Sequence, residues 1–140
     1  MRIDVAAEEA PDPSALRVIE QGLIDHALSR GIEPRNHRTL TVLLRDGEHR
    51  VVGGLAGSTV WGWLQVTLVW VDEACRGRGH GRALMREAEA EAGRRGCHHA
   101  WLDTFDFQAR GFYEGLGYEV FGQLAEFPRG HTRFFMRKTL

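Results

Sequence analysis

From Thr67 to Arg94 the chain passes from a β-prone stretch, through Arg76-Gly77-Arg78-Gly79-His80-Gly81-Arg82, into an amphipathic helix. Strand, glycine-rich loop and helix in that order suit the capture of a phosphate. Glycines let the backbone turn tightly and approach a ligand with no Cβ in the way. The amides that open a helix have no intrahelical acceptor, and the helix dipole sets positive potential there, which favours a pyrophosphate. Arg76, Arg78 and Arg82 add charge-assisted donors. Taken alone, such a loop is equally compatible with a plain surface turn. It lacks the Gly-Lys-Ser/Thr ending of a Walker A loop. Asp103 stands about 20 positions on, as a dinucleotide fingerprint requires, but no second βαβ half follows.

A second segment, Phe107-Gln108-Ala109-Arg110-Gly111-Phe112-Tyr113-Glu114-Gly115-Leu116-Gly117-Tyr118, follows the next strand. Together the two segments resemble the GNAT N-acetyltransferase superfamily. Arg76, Gly79 and Gly81 meet its Gln/Arg-x-x-Gly-x-Gly/Ala signature. Ala109, Phe112, Tyr113, Gly117 and Tyr118 meet its Ala-x-x-Phe-Tyr-x-x-x-Gly-Phe/Tyr helix. The resemblance covers about Trp63 to Gly122, with the expected helix and strand between the motifs.

The resemblance implies acetyl-CoA as cosubstrate. The strands before the loop and after its helix would splay apart, with the pantetheine arm lying between them like an added strand. Val69, Trp70 and Val71 are the expected backbone partners of that arm. Gly77, Arg78, Gly79, His80, Gly81 and Arg82 would hold the pyrophosphate, with Arg76 and His80 reaching phosphate or ribose oxygens. Asp106 stands where the family has an Asn on the pantetheine; it accepts but cannot donate. Gln108 is the substitute donor.

Acyl transfer from a thioester to an amine has four needs. The amine must lose its proton, the carbonyl must be polarised, the reactants must be aligned, and the thiolate must be protonated on leaving. A strand amide at Val69 or Val71 would polarise the carbonyl. Tyr113 matches the family's general-acid tyrosine, and a phenol is protonated at neutral pH; without the motif it reads as packing. Some members carry a basic Glu eleven residues before the motif's first Gln/Arg. That position is Gln65, which does not titrate. Asp103, Asp106, His131, His80 or a water chain are the substitutes, and Arg129 and His131 are specificity candidates in the final loop.

The elements that must position these groups follow from periodicity. Arg2–Val5 is expected to be a strand. Asp12 and Pro13 start a helix that ends near Ser29 and Gly31. Thr39–Arg45 and Arg50–Ala56 form a hairpin about Asp46-Gly47-Glu48, followed by a β-prone run from Val60 to Val71 that Gly62 bends or turns. Alternation sets Trp61 and Trp63 opposite Trp70. A helix from Gly79 to about Arg94 turns Ala83, Leu84, Ala88 and Ala92 inward. A strand at His98–Thr104, a short helix at Ala109–Gly115 and strands at Tyr118–Leu124 and Thr132–Lys138 complete the chain. This is an α/β (α+β) pattern. The resemblance adds a mixed, largely antiparallel central sheet flanked by helices, with splayed central strands, in a single domain over residues 1–140.

Bulk properties narrow the partners. The 140 residues carry a net charge of -1, which gives no reason to expect nucleic-acid or membrane binding. No signal peptide or membrane span is expected, and Cys75 and Cys97 fit neither a disulfide framework nor a metal pattern. The expectation is a cytoplasmic enzyme without metal that acetylates a primary amine, by family analogy a homodimer. A small-molecule acceptor is favoured over a protein N-terminus or lysine. The alternatives are a CoA-binding or regulatory module without catalysis, and a nucleotide-binding protein using the same loop.

Overall fold

The computed structural model describes all residues from Met1 to Leu140, in two compact units, Met1–Pro34 and Arg35–Leu140. In the first, helix α1 spans Pro13–Ser29. The Asp12 carboxylate caps it by accepting from the Ser14 amide at 2.8 Å, and Gly31 leaves the helix at φ +76°, both as expected. The expected strand at Arg2–Val5 does not form. A strand needs a ladder partner, and the sheet begins only at Arg38.

The second unit is one six-stranded sheet in the order β1-β2-β3-β4-β6-β5. Its strands are β1 (Arg38–Arg45), β2 (Val51–Val60), β3 (Trp63–Val71), β4 (His99–Phe105), β5 (Glu119–Ala125) and β6 (Thr132–Thr139). Helix α2 (His80–Arg94) joins β3 to β4, and α3 (Arg110–Gly115) joins β4 to β5. Only β3 and β4 run parallel; a parallel pair needs a crossover, and α2 supplies it. β2 continues four residues past the expected end at Ala56, and the long β-prone run is cut by a tight turn at Trp61 and Gly62. Both turn residues have positive φ, 46° and 76°, the conformation that matches a two-residue hairpin to strand twist.

The core lies between the sheet and α2. Leu64, Met85, Ala88, Ala92, Ala100 and Met136 are fully buried. The inward stripe of α2 is Leu84, Met85, Ala88 and Ala92; Ala83, expected inside, is exposed. The small side chains of Ala88 and Ala92 let the helix sit close on the strands.

One irregularity in β3 organises everything nearby. Ala56 pairs with Leu68, but Gly57 pairs with Val66, so Thr67 is an extra residue with no partner on β2. The β-bulge resets the alternation. Trp63 and Gln65 therefore share a face with Leu68 and Trp70, because their β2 partners Val60, Ser58, Ala56 and Gly54 all lie on that side. The expected opposition of Trp63 and Trp70 is wrong for this reason. The parallel β3–β4 pairing also stops here, with Val66 opposite Leu102 as its last pair.

Candidate active site

Beyond Val66 the two central strands diverge around a cleft of about 670 Å³. Val66 to Val71 form one wall; Leu102, Asp103, Thr104, Phe107, Gln108, Ala109 and Tyr113 form the other, and Arg76 closes an end. Since β4 no longer pairs with this part of β3, Leu68 to Val71 offer a free strand edge. An extended amide chain adds to such an edge by main-chain hydrogen bonds.

Arg76 also lines a second pocket of about 300 Å³, with Val71, Cys75, Gly77, Gly79, His80, Gly81, Arg82 and Phe112. Its Nε donates to the Val71 carbonyl at 2.9 Å, tying the loop to the end of β3. Gly77 and Gly79 take φ of +76° and +81°, a region that side chains disfavour. The first backbone bond closing α2 runs from the Ala83 amide to the Gly79 carbonyl at 3.0 Å, so the amides of residues 77 to 82 have no acceptor. With the helix dipole and the arginines they fit a pyrophosphate.

Tyr113 is buried in the cleft wall, its ring edge-on to Phe112 and Tyr118 at 5.1 and 6.1 Å. Burial, and secondarily the negative charge of Asp103, push its phenol above the ordinary tyrosine range. It stays protonated at every physiological pH. Tyr118 is pushed up further by burial, then by Glu89 and Tyr113. These are the only tyrosines of the chain. A phenol whose folded pKa is raised contributes stability that is complete below about pH 10 and is lost as pH rises from there through the folded value. Tyrosinate absorbance near 295 nm is therefore expected to appear together with loss of the helix signal. A phenol titrating near pH 10 in the folded protein would contradict this burial.

The remaining expected residues divide. Gln108 lines the cleft; its side-chain oxygen accepts from the Phe105 amide and the Thr104 hydroxyl, each at 3.3 Å, leaving its Nε2 to donate. Asp106 is not among the lining residues. Its carboxylate accepts from the Thr132 amide at 2.9 Å and bonds His131 Nδ1 at 2.8 Å, so both oxygens are committed to the start of β6. The Thr132 amide, then His131, hold that carboxyl below its usual range. Gln65 pairs with Trp101 in the still-closed part of the sheet, and His80 lies in the loop pocket. Asp103 is the one carboxylate lining the cleft.

Sequence reasoning missed Arg133, whose Nε donates to Asp103 Oδ1 at 2.8 Å. Period-two alternation in β6 places Arg133 and Phe135 on one face, but their seat beside Asp103 needed the β4–β6 register, in which Asp103 opposes Phe135. Elsewhere His99 stacks on Trp63 at 4.6 Å. Cys75 and Cys97 are unpaired, and burial raises the Cys97 thiol, leaving it unreactive. No helix is long and apolar enough to cross a membrane.

The chain resembles known proteins over most of its length. Residues 6–118 match the Acetyltransferase (GNAT) family. The chain is 35% identical over 130 residues to acetyltransferase Atu2258 of Agrobacterium fabrum, covering 93% of this chain and 94% of that one. It is 42% identical over 91 residues to the blasticidin-S acetyltransferase of Streptomyces morookaense, covering 64% and 67%. A crystal structure of an acetyltransferase from Bacillus cereus superposes with a TM-score of 0.84 at 29% identity, over 96% of this chain and 98% of that one. The splayed strands, the open amide loop and the buried tyrosine thus belong to a member of the GNAT family, and the chain is an acetyl-CoA-dependent acetyltransferase.

Proposed function

We propose that the enzyme transfers the acetyl group to a primary amine of a small molecule, by direct attack with both substrates bound. The observation that carries this reading is the placement of the Tyr113 phenol in the same cleft as the free edge of β3. The loop amides hold the pyrophosphate, and the edge of β3 at Val69 to Val71 holds the pantetheine arm. That arrangement sets the thioester beside Tyr113. The acceptor ammonium first gives a proton to water. Its nitrogen then attacks the carbonyl carbon, with a β3 amide donating to the developing oxyanion. As the C–S bond breaks, Tyr113 gives its proton to the thiolate, and the proton shed by the new amide nitrogen restores the phenol through solvent. A relative named blasticidin-S acetyltransferase supports a small-molecule acceptor.

Titration calorimetry of acetyl-CoA, against the natural protein and a Gly79→Glu, Gly81→Glu variant, tests the cosubstrate site. Two carboxylates facing the pyrophosphate are expected to weaken binding at least about 100-fold. Unchanged affinity would remove the loop from the site. Amine-dependent release of CoA thiol then tests the acceptor class, and thiol release that no amine stimulates would overturn the amine reading.

A further inference from the structure

Asp103, which lines the cleft together with Tyr113, is ion-paired to Arg133, a residue just behind the cleft lining. Asp103 and Arg133 are joined through one carboxylate oxygen and Nε, and their side chains are 22% and 26% exposed. The guanidinium is clamped over Phe127, Phe135 and Phe105, at 4.7, 5.2 and 5.5 Å from their ring centres. Phe105 in turn stacks on Phe107 of the cleft wall, at 5.2 Å. The three surrounding rings hold the guanidinium in place by cation–π attraction. Its two terminal nitrogens donate to no protein group, and the second oxygen of Asp103 accepts from none.

We propose that this pair is an acceptor subsite for the ammonium and carboxylate of an α-amino acid, or of a larger compound that keeps both groups on one carbon. The inference rests on the acetyl-transfer reading and names its substrate class. Asp103 lines the cleft and interacts electrostatically with Tyr113, so the free Asp103 oxygen receives the amine that is to react. The terminal edge of Arg133 receives the carboxylate, in the paired geometry that guanidinium and carboxylate favour. The two protein charges lie within one hydrogen bond of each other, which matches an amine and a carboxylate on neighbouring atoms rather than at the ends of a long chain. Charge balance points the same way. A zwitterion leaves the half-buried site neutral, whereas a simple ammonium leaves one positive charge in excess beside the phenylalanines. The rings provide an apolar wall for the side chain.

The test measures acetyl-CoA-dependent thiol release with matched pairs: racemic phenylalanine, leucine and tryptophan, against phenethylamine, 3-methylbutylamine and tryptamine. The amino acids are expected to have kcat/KM at least about 10-fold above their decarboxylated partners, because the latter leave the guanidinium edge unpaired. Arg133→Gln should remove that preference by raising KM at least about 10-fold more for the amino acids than for the plain amines. Arg133→Lys keeps the charge without the fork and should fall between the two. Melting curves and acetyl-CoA binding show whether each variant is folded. Equal or better turnover of the decarboxylated series, or a preference that survives in folded Arg133→Gln, overturns this inference alone. No thiol release from either series, by a protein that binds acetyl-CoA, overturns both it and the amine-acetylation reading.

Discussion

Tyr113→Phe is expected to lower kcat by about 100-fold or more, the usual scale for loss of a general acid, while acetyl-CoA binds as before. The substitution removes one oxygen from a buried side chain and keeps the ring that packs on Phe112 and Tyr118. No hydrogen bond made by the Tyr113 hydroxyl is lost to the fold, since its only bonds are through the backbone. A fall in kcat with unchanged affinity and melting temperature therefore reports on the leaving group. The pH profile adds a second reading. Burial and Asp103 raise the phenol above its ordinary range, so the acid form persists and Tyr113 contributes no alkaline decline below about pH 10. A variant with natural kcat under saturating substrates would show that the thiolate leaves unaided, and would return Tyr113 to a packing role.

The second large effect is on folding. A Cβ built on Gly57 would lie 2.1 Å from the Gln65 carbonyl oxygen and 3.3 Å from the Val66 Cα. Both obstacles are backbone of β3, which cannot rotate away like the end of a side chain. Gly57 sits directly against the β-bulge at Thr67, so relief would come only by pushing β3 off β2 at the point where the cleft opens. Gly57→Ala is expected to cost about 3 kcal/mol, seen in calorimetry as a melting temperature lower by roughly 10 °C. Gly57→Val should fail to accumulate as folded protein. The contrast is Gly93, where an added Cβ meets nothing within 4 Å; being helical, Gly93→Ala should hold or gain stability. A Gly57→Ala protein that melts like the natural one would show that β2 and β3 can part without loss, and that the bulge does not depend on this close approach.

Much of this architecture was legible in local patterns. The cap at Asp12, the glycine loop opening α2, three of the inward residues of α2 (Leu84, Ala88 and Ala92) and the order of strands and helices from α1 onward all depend on residues within a few positions of one another. So does the Ala109 to Tyr118 segment that, with Arg76 to Gly81, carried the family resemblance. The errors arose where local propensity met a distant requirement. Arg2–Val5 has strand-like residues but no strand to pair with. Trp63 and Trp70 follow strict alternation only if nothing interrupts it, and the unpaired Thr67 interrupts it. Asp106 stands at a family contact position, yet the Thr132 amide and His131, distant in sequence, claim both of its oxygens.

The linear chain determined a glycine-rich loop opening a helix, a short helix carrying Tyr113 and a mixed sheet, because each is written in short-range spacing: 3.6 residues per turn, two per strand repeat, glycines where the backbone must turn. Only the tertiary structure decided where the sheet opens and what faces the opening. The bulge at Thr67 exists in the register between β2 and β3. The meeting of Asp103 with Arg133 exists in the register between β4 and β6. A one-residue slip in either ladder would turn those side chains to the opposite face, and register is fixed by the packing of the whole sheet against its core rather than by any neighbouring residue.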